Sequence, residues 1–592
     1  MKQFFKMFFA SMLAMIVASV VIVGIMIAMI TKAVSEIGSQ KSKPSLLSAS
    51  ILLIQTSDQL HELGRDNAFA TFSKGASYNA GLYDVVRALK AAKTDDNIKG
   101  IALRLDGGAN GWATMEQVRE ALLDFRKSGK RVFAYGDAIS QRDYFLATAA
   151  DSIFLNPAGM LELKGLSSQL MFFKGTLDKL GVQPEIFYAG RFKSATEPFR
   201  VDKMSPANRE QIAELQKGIW SLFLNAAAQK TNLDTNNIQQ LAASGGLYFA
   251  SDATRDHLID GAKYWDEIED MMRLSVGKKV DEKIPYISIN NYANQLSDID
   301  GSGDRIAVLF AEGEIVDGKG TDYQISPERL IKSIRQIRRD DKIKAVVLRV
   351  NSPGGSALAS EVILRELQLL RAKKPLIVSM GDLAASGGYY ISSQADSIFA
   401  MPNTLTGSIG VFGMLFNVGN ALESKLGVTF DEEKNAPFAD FPNMSRPLTP
   451  IEAAKMQSTI DTIYATFKGH VVSGRRLNST LVDSIAQGRV WSGKDGLALG
   501  LVDGIGGLDR ALKSAAAKAK LSSYSVKTYP EPVDQLQSII NKITNGPLSS
   551  EDLKAAVSKQ LLEESTAIRE MLWMKRVSGR AQMMLPFRPM FN

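Results

Sequence analysis

Two short small-residue segments hold the residue types that could do chemistry. Asn351-Ser352-Pro353-Gly354-Gly355 follows an apolar run and precedes a helical pattern. Its glycines let backbone amides turn toward a bound group, and the N-terminus of the following helix adds positive potential. That is the arrangement of an oxyanion hole. Taken alone, it is equally an ordinary Pro-Gly turn from strand to helix. One strand later comes Met380-Gly381-Asp382, then Ala384-Ala385-Ser386-Gly387-Gly388-Tyr389-Tyr390. A serine among alanines and glycines leaves room for a carbonyl group to approach. It stands at the carboxyl end of a strand, where open α/β sheets place their ligands. Small residues at a helix start are also good packing, but the two segments on successive strands together point to Ser386 as a nucleophile. No G-x-S-x-G pattern occurs, which disfavours an α/β-hydrolase.

Composition removes several other chemistries. The chain has no cysteine, so disulfides, thiolate nucleophiles and Cys-bound zinc are excluded. Its three histidines are His61, His257 and His470, and no H-E-x-x-H occurs. A Ser-His-Asp triad is poorly supplied, and the reading calls for no metal and no cofactor. The net charge of +7 is spread over 592 residues with both signs interleaved. That describes a solvated mixed surface. A nucleic-acid partner would need clustered basic residues on a recognisable module, and there is none.

The elements that must position these residues occur twice. At an offset of 245 positions, Asp95–Pro157 lies without a gap on Asp340–Pro402, so that DDNIKGIALRL meets DDKIKAVVLRV and ADSIF meets ADSIF. Within this frame NSPGG faces DGGAN (106–110), and Gln141 stands opposite Ser386. One fold is used twice with an asymmetric site. Ile101–Leu105 and Ala345–Val350 read as buried strands, and Met115–Phe125 and Ser360–Leu370 as helices. Arg131–Tyr135 and Leu376–Met380 read as the next strands. The expected class is α/β with parallel sheets. The first half covers 48–280. Residues 281–303, polar and Asn-rich, read as a linker. The second half covers 304–545 and opens on RIAVLFAEGEIVDG, which reads as a strand pair. Residues 546–592 form a tail with a helix near Ser550–Leu572 and an extended end.

Residues 1–47 read as a cytoplasmic start, an anchor and a tether. Phe8–Ile30 is 23 residues without a charge. As a helix it reaches about 34 Å, enough for a hydrocarbon core of about 30 Å. A cleavable signal has a shorter apolar region. Lys2 and Lys6 precede the span, which puts the N-terminus in the cytoplasm and the body outside. Lys32, Lys41 and Lys43 oppose that bias, although a large following domain translocates largely regardless of charge.

NSPGG, MGDLAASGGYYIS and LTGSIGVFG (405–413) resemble the signal peptide peptidase A (protease IV) family, over nearly the whole chain and in its long duplicated form. The resemblance implies a tandem duplication of a Clp-protease/crotonase-like fold behind one transmembrane helix. It implies a single-pass serine endopeptidase of the bacterial inner membrane, its body on the periplasmic side. In that family the nucleophile is the serine of ASGG, here Ser386. The base is the lysine of G-x-x-K-S-A-x-E-P-F, which here is Gly190–Phe199 and carries the role to Lys193. Ser408 of TGSIG would orient the lysine. Gly354 or Gly355, with the amide of Gly387, would form the oxyanion hole. Substrates would be apolar peptides such as cleaved signal peptides, and the assembly a homotetrameric bowl.

Serine needs an adjacent base, and lysine serves only when neutral. Its reference pKa of about 10.4 must therefore fall, as burial makes it do. Lys434 sits in an acidic Asp431-Glu432-Glu433 context that would keep it charged. Ser275-Val276-Gly277-Lys278 fits S-x-x-K but lacks the accompanying S-D-N and K-T-G. A crotonase-like acyl-CoA enzyme and an inactive membrane scaffold remain the alternative readings.

Overall fold

The computed structural model describes residues 49–66, 78–296, 303–321, 323–530 and 581–585. Short β-branched runs alternating with amphipathic helices build a parallel sheet in the first half and a mainly parallel one, with an antiparallel edge strand at Val490–Ser492, in the second. The first half supplies β1 (Ser50–Gln55), β2 (Ile98–Arg104), β3 (Arg131–Gly136), β4 (Ser152–Leu155), β5 (Gln183–Ala189), β6 (Gly261–Ala262) and β7 (Tyr286–Ser288). All but β5 form a six-stranded parallel sheet in the order β6-β4-β3-β2-β1-β7. The second half supplies β8 (Arg305–Glu312), β9 (Glu314–Ile315), β10 (Gln324–Ile325), β11 (Ile343–Ser352), β12 (Gly354–Ser356) and β13 (Leu376–Ala385). It continues with β14 (Ser397–Ala400), β15 (Leu405–Gly407), β16 (Val411–Asn417), β17 (Val490–Ser492), β18 (Gly504–Ile505), β19 (Ser525–Tyr529) and β20 (Ala581–Met584). Its main sheet runs β17-β15-β13-β11-β8-β19, with β14 and β18 alongside.

The duplication is visible element by element. Helix Trp112–Arg126 matches helix Ala357–Arg371, and Leu82–Thr94 matches Pro327–Arg339, at the same offset as the sequence repeat. β1 starts against Ile98 as β8 starts against Ile343. Strands covered by helices on both faces are apolar throughout, and residues 345–348 are fully buried.

A third sheet joins the halves in the order β10-β9-β12-β20-β16-β5. β5 of the first half pairs antiparallel with β16 of the second over seven residues, Ala189↔Val411 to Gln183↔Asn417. Deeper in the interface, Arg349 donates from Nε and Nη2 to the Glu62 carboxylate at 2.7 and 3.2 Å, with both side chains buried. Asp382 accepts from the backbone N–H and hydroxyl of Thr114 at 2.9 and 2.5 Å.

Two expectations change. RIAVLFAEGEIVDG gives two strands, but they do not pair with each other. Gly313 has φ +100° and turns the chain out of β8, so that β9 enters the third sheet. Residues 281–303 are not simply a linker. Tyr286–Ser288 pairs with β1, and helix Ile289–Gln295 follows it. The buried Ile284, Ile287 and Ile289 account for this, diluted in the sequence by polar neighbours. The expected anchor (8–30), its tether, the helix near Ser550–Leu572 and the last seven residues lie outside the described residues. Among the described residues, no helix is long and apolar enough to cross a membrane.

Candidate active site

Strand β13 runs through Met380-Gly381-Asp382 to Ala385, and the next residue is Ser386, which caps helix Gly387–Ser392. Its backbone has φ +54° and ψ −112°. A non-glycine residue there carries about 1–3 kcal/mol of strain and persists only where its surroundings enforce it. Here the Ser386 N–H donates to Gly407 O at 2.8 Å, and its carbonyl accepts from Tyr390 N. The strain turns the hydroxyl out of a sharp strand-to-helix junction. That is the geometry of a nucleophile elbow, reached without the G-x-S-x-G sequence.

Lys193 comes from the other half. β5 is fixed along β16, and the chain turns at Gly190, φ +108°, into the lysine loop. Phe192 N donates to Gln487 O at 2.8 Å. Gly488, φ +72°, lies so close that a Cβ on it would stand 2.7 Å from the Lys193 Cβ. A Cβ on Gly190 would in turn overlap the Gln487 carbonyl. Two glycines, one from each half, thus let two backbones touch and deliver the lysine. Beyond it, Phe199 is buried against Phe173 and Phe416, and the Glu197 carboxylate accepts from Asn208 Nδ2 at 2.9 Å.

The result is a buried Ser–Lys contact. Lys193 Nζ is 2.8 Å from Ser386 Oγ, 3.0 Å from Ser408 Oγ and 3.3 Å from Ser408 O, and it also donates to Met584 O. Lys193 is 1% exposed, and burial drives its pKa well below the ordinary lysine value. A neutral amine has two N–H groups and one lone pair. The carbonyls of Ser408 and Met584 can take both N–H groups, which leaves the lone pair for a serine O–H. Such an amine can accept the proton of Ser386. Ser408 is likewise buried with φ +49°, held by its N–H to Arg489 O at 2.7 Å.

The glycines flank this contact. Gly354 N donates to Ser352 Oγ at 3.2 Å. A Cβ built on Gly387 would stand 3.2 Å from Gly355 N, so the loop after β11 and the turn after β13 abut. β12, which holds both glycines, pairs antiparallel with β20, Gly354 opposite Met584 and Gly355 opposite Met583.

The equivalent place in the first half is filled. Gln141 Oε1 accepts from the N–H groups of Lys164 and Gly165, both at 2.9 Å. The Asp143 carboxylate accepts from Gly107 N at 3.1 Å and Gly108 N at 3.4 Å, the counterpart of the NSPGG loop. Neither rival lysine meets a nucleophile. Lys434 pairs with Asp440 and Glu432, which raise its pKa. Lys278 bonds the Lys283 carbonyl, while Ser275 bonds the Met272 carbonyl. His61 pairs with Glu312 and His470 with Glu361. Residue reasoning did not find the Gly190–Gly488 contact or β20 beside the serine. Both arise between segments hundreds of positions apart, with no local pattern to signal them.

The model of peptidase family S49 matches this chain twice, over residues 124–280 and 368–522. Protease 4 of Salmonella typhi is 37% identical over 526 residues, covering 87% of this chain and 84% of its own. The chloroplastic serine protease SPPA of Arabidopsis thaliana is 32% identical, covering 85% of this chain and 76% of its own. A solved mutant ClpP1 from Listeria monocytogenes aligns over 35% of this chain and 94% of its own, at 14% identity and a TM-score of 0.23. With two family matches, one in each half, and relatives aligned along most of its length, the chain belongs to peptidase family S49 and is a serine peptidase.

Proposed function

We propose that Ser386 is the nucleophile and Lys193 the general base of a dyad assembled from both halves. The observation that carries this is the buried Lys193 Nζ at 2.8 Å from Ser386 Oγ, with burial holding the amine toward its neutral form. Neutral Lys193 takes the hydroxyl proton as Ser386 Oγ bonds to a peptide carbonyl carbon. The amide of Gly354 or Gly355, with that of Gly387, holds the developing oxyanion. Lys193 returns its proton to the leaving amine, and water resolves the acyl-enzyme by the same route in reverse. Ser408 orients the lysine through its hydroxyl and carbonyl.

On this reading each half is a Clp-protease/crotonase-like unit, the first over 48–280 and the second over 304–545, with the strand and helix of 286–295 added to the first. The 23 uncharged residues of Phe8–Ile30 support single-pass anchoring in a bacterial inner membrane, with the body on the periplasmic side. Substrates are apolar peptides, cleaved signal peptides among them. The working assembly is a homotetramer.

Ser386→Ala and Lys193→Ala should each lower turnover of an apolar fluorogenic peptide by roughly 10⁴-fold or more, with unfolding temperatures preserved. A fluorophosphonate should label Ser386 in the wild type and not in Ser386→Ala. Substantial hydrolysis by folded Lys193→Ala overturns the base assignment.

A further inference from the structure

Residues 487–490 of the second half touch the lysine loop and the backbone around both serines. Gln487 O accepts from Phe192 N at 2.8 Å, and Gly488 lies against the Lys193 backbone. Arg489 O accepts from Ser408 N at 2.7 Å. Val490 stands opposite Gly407, whose carbonyl accepts from Ser386 N. This short segment therefore sets how Lys193, Ser408 and Ser386 lie relative to one another.

It leads into β17, the edge strand of the second-half sheet. An edge strand has backbone groups that need partners from outside the sheet. Here they come from the first half. Val490 N donates to Gln211 Oε1 at 2.8 Å, and Arg489 Nη1 donates to Glu210 Oε1 at 2.9 Å. Both residues belong to helix Pro206–Thr231, which Ser205 caps. One turn earlier, Asn208 Nδ2 donates to the Glu197 carboxylate of the lysine loop, which also takes the Ser205 N–H at 3.2 Å. Residues three apart share a helix face, so Asn208 and Gln211 hold the lysine loop and the 487–490 segment from one surface.

The two contacts to 487–490 are unequal. Glu210 has a side chain 49% exposed, and an exposed ion pair is weak. Gln211 and Asn208 are buried. Their remaining polar atoms, Gln211 Nε2 and Asn208 Oδ1, are buried with no hydrogen-bond partner among the described residues. Such atoms cost stability, so packing alone does not account for an amide at 211. What it supplies is its oxygen. With the caps Ser205 and Thr449 aligned, the matching helix of the second half, Pro450–Arg475, puts the exposed Lys455 where Gln211 stands. The buried amide occurs at the junction that holds Ser386 and Lys193.

We propose that Gln211 is a positioning residue for the reaction, fixing the 487–490 segment from the first half and so holding Ser408 against Lys193. The proposal rests on the dyad reading. Gln211 acts through Val490 and Arg489. Without its oxygen the edge strand loosens, Ser408 draws back and water reaches Lys193. Burial is what lowers the lysine pKa, so hydration raises it and the base stays protonated to a higher pH. The charged groups on the surrounding elements are engaged elsewhere. Glu185 accepts from Leu448 N, Glu197 from Asn208 and Asp382 from Thr114, while Arg200 pairs with Glu197 and Arg191 stacks on Phe192.

The test measures kcat and KM of the full chain against pH with an apolar fluorogenic peptide. The variants are Gln211→Met, which keeps the volume and removes the acceptor, Gln211→Glu, which keeps an oxygen for Val490 N, and Leu215→Ala, a core truncation one turn further along the same helix. For Gln211→Met, kcat at pH 7 should fall on the order of tenfold to 10²-fold with KM little changed, and the acid limb of kcat should move up by roughly one pH unit. Gln211→Glu should recover most of kcat and return the acid limb toward the wild type. Leu215→Ala should lower the unfolding temperature and leave the acid limb in place. An acid limb unmoved in folded Gln211→Met, or moved equally by Leu215→Ala, overturns the proposal, as does Gln211→Glu behaving like Gln211→Met. If Gln211→Met does not fold, Gln211 is a structural residue and the proposal falls. Substantial hydrolysis by folded Lys193→Ala refutes the base assignment itself, and so separates the two failures.

Discussion

Ser386 and Lys193 are each held in a state they would not adopt alone. The serine carries positive φ, and the lysine is held toward neutrality by burial. Both cost stability, as active-site residues often do. The sign for the lysine follows from linkage. Its folded pKa lies below the unfolded value of about 10.4, so below that pH the unfolded chain binds more protons and stability rises with pH. Lys193→Met should therefore raise the unfolding temperature at pH 7, and the gain should shrink as pH rises toward 10. Calorimetry across that range checks it; a gain independent of pH would mean that only packing changed. Activity should rise with pH through the lowered lysine pKa, as the base becomes neutral. Ser386 was legible from its small neighbours and its place at a strand end. Lys193 was legible only through its motif, because a lone lysine in sequence carries no mark of burial.

At the scale of elements, the contact between Lys193 and Ser386 depends on a strand pair and on a glycine contact. The β5–β16 pairing fixes where the lysine loop begins, and Gly190 against Gly488 fixes how near it comes. Gly488→Ala should push the Lys193 backbone away and strain its own φ of +72°. We expect kcat to fall on the order of 10²-fold, as for misplacements of about 1 Å, while the protein stays folded. A kcat near wild type would show that the contact can relax. The strands and helices of the repeat were legible because a buried parallel strand is a short apolar run and a covering helix has a 3.6-residue period. The third sheet was not. Its strands are two to seven residues long and come from both halves and the tail, and such pieces gain their pairing only from neighbours already in place.

At the scale of the molecule, the halves meet around buried charge. Besides Arg349–Glu62, the interface holds Glu116, whose pKa is pushed up to about 8, first by burial and then by Glu120, with Arg119 opposing and Asp382 adding to the rise. A carboxyl with a raised folded pKa binds more protons in the folded state than in the unfolded one. Its stability contribution is therefore lost as pH rises from the ordinary carboxyl range, about 4.3, through 8. Glu116→Gln should leave stability at pH 5 nearly unchanged and raise it by a few kcal/mol at pH 9, because each tenfold change in proton affinity is worth about 1.4 kcal/mol. Denaturant titration at both pH values checks this, and an equal effect at both would point to lost packing instead. By itself the sequence determined the two-fold repeat, the α/β class of each half, the small-residue setting of Ser386 and the glutamine, Gln141, that stands opposite it in the first half. All of these are written in local periodicity and residue type. Only the tertiary structure decided that the lysine of one half meets the serine of the other, that Asp143 fills the first half's amide loop, and that residues 581–584 pair with the Gly354–Ser356 strand. Those outcomes depend on which distant surfaces exclude water together, and no local window of sequence records that.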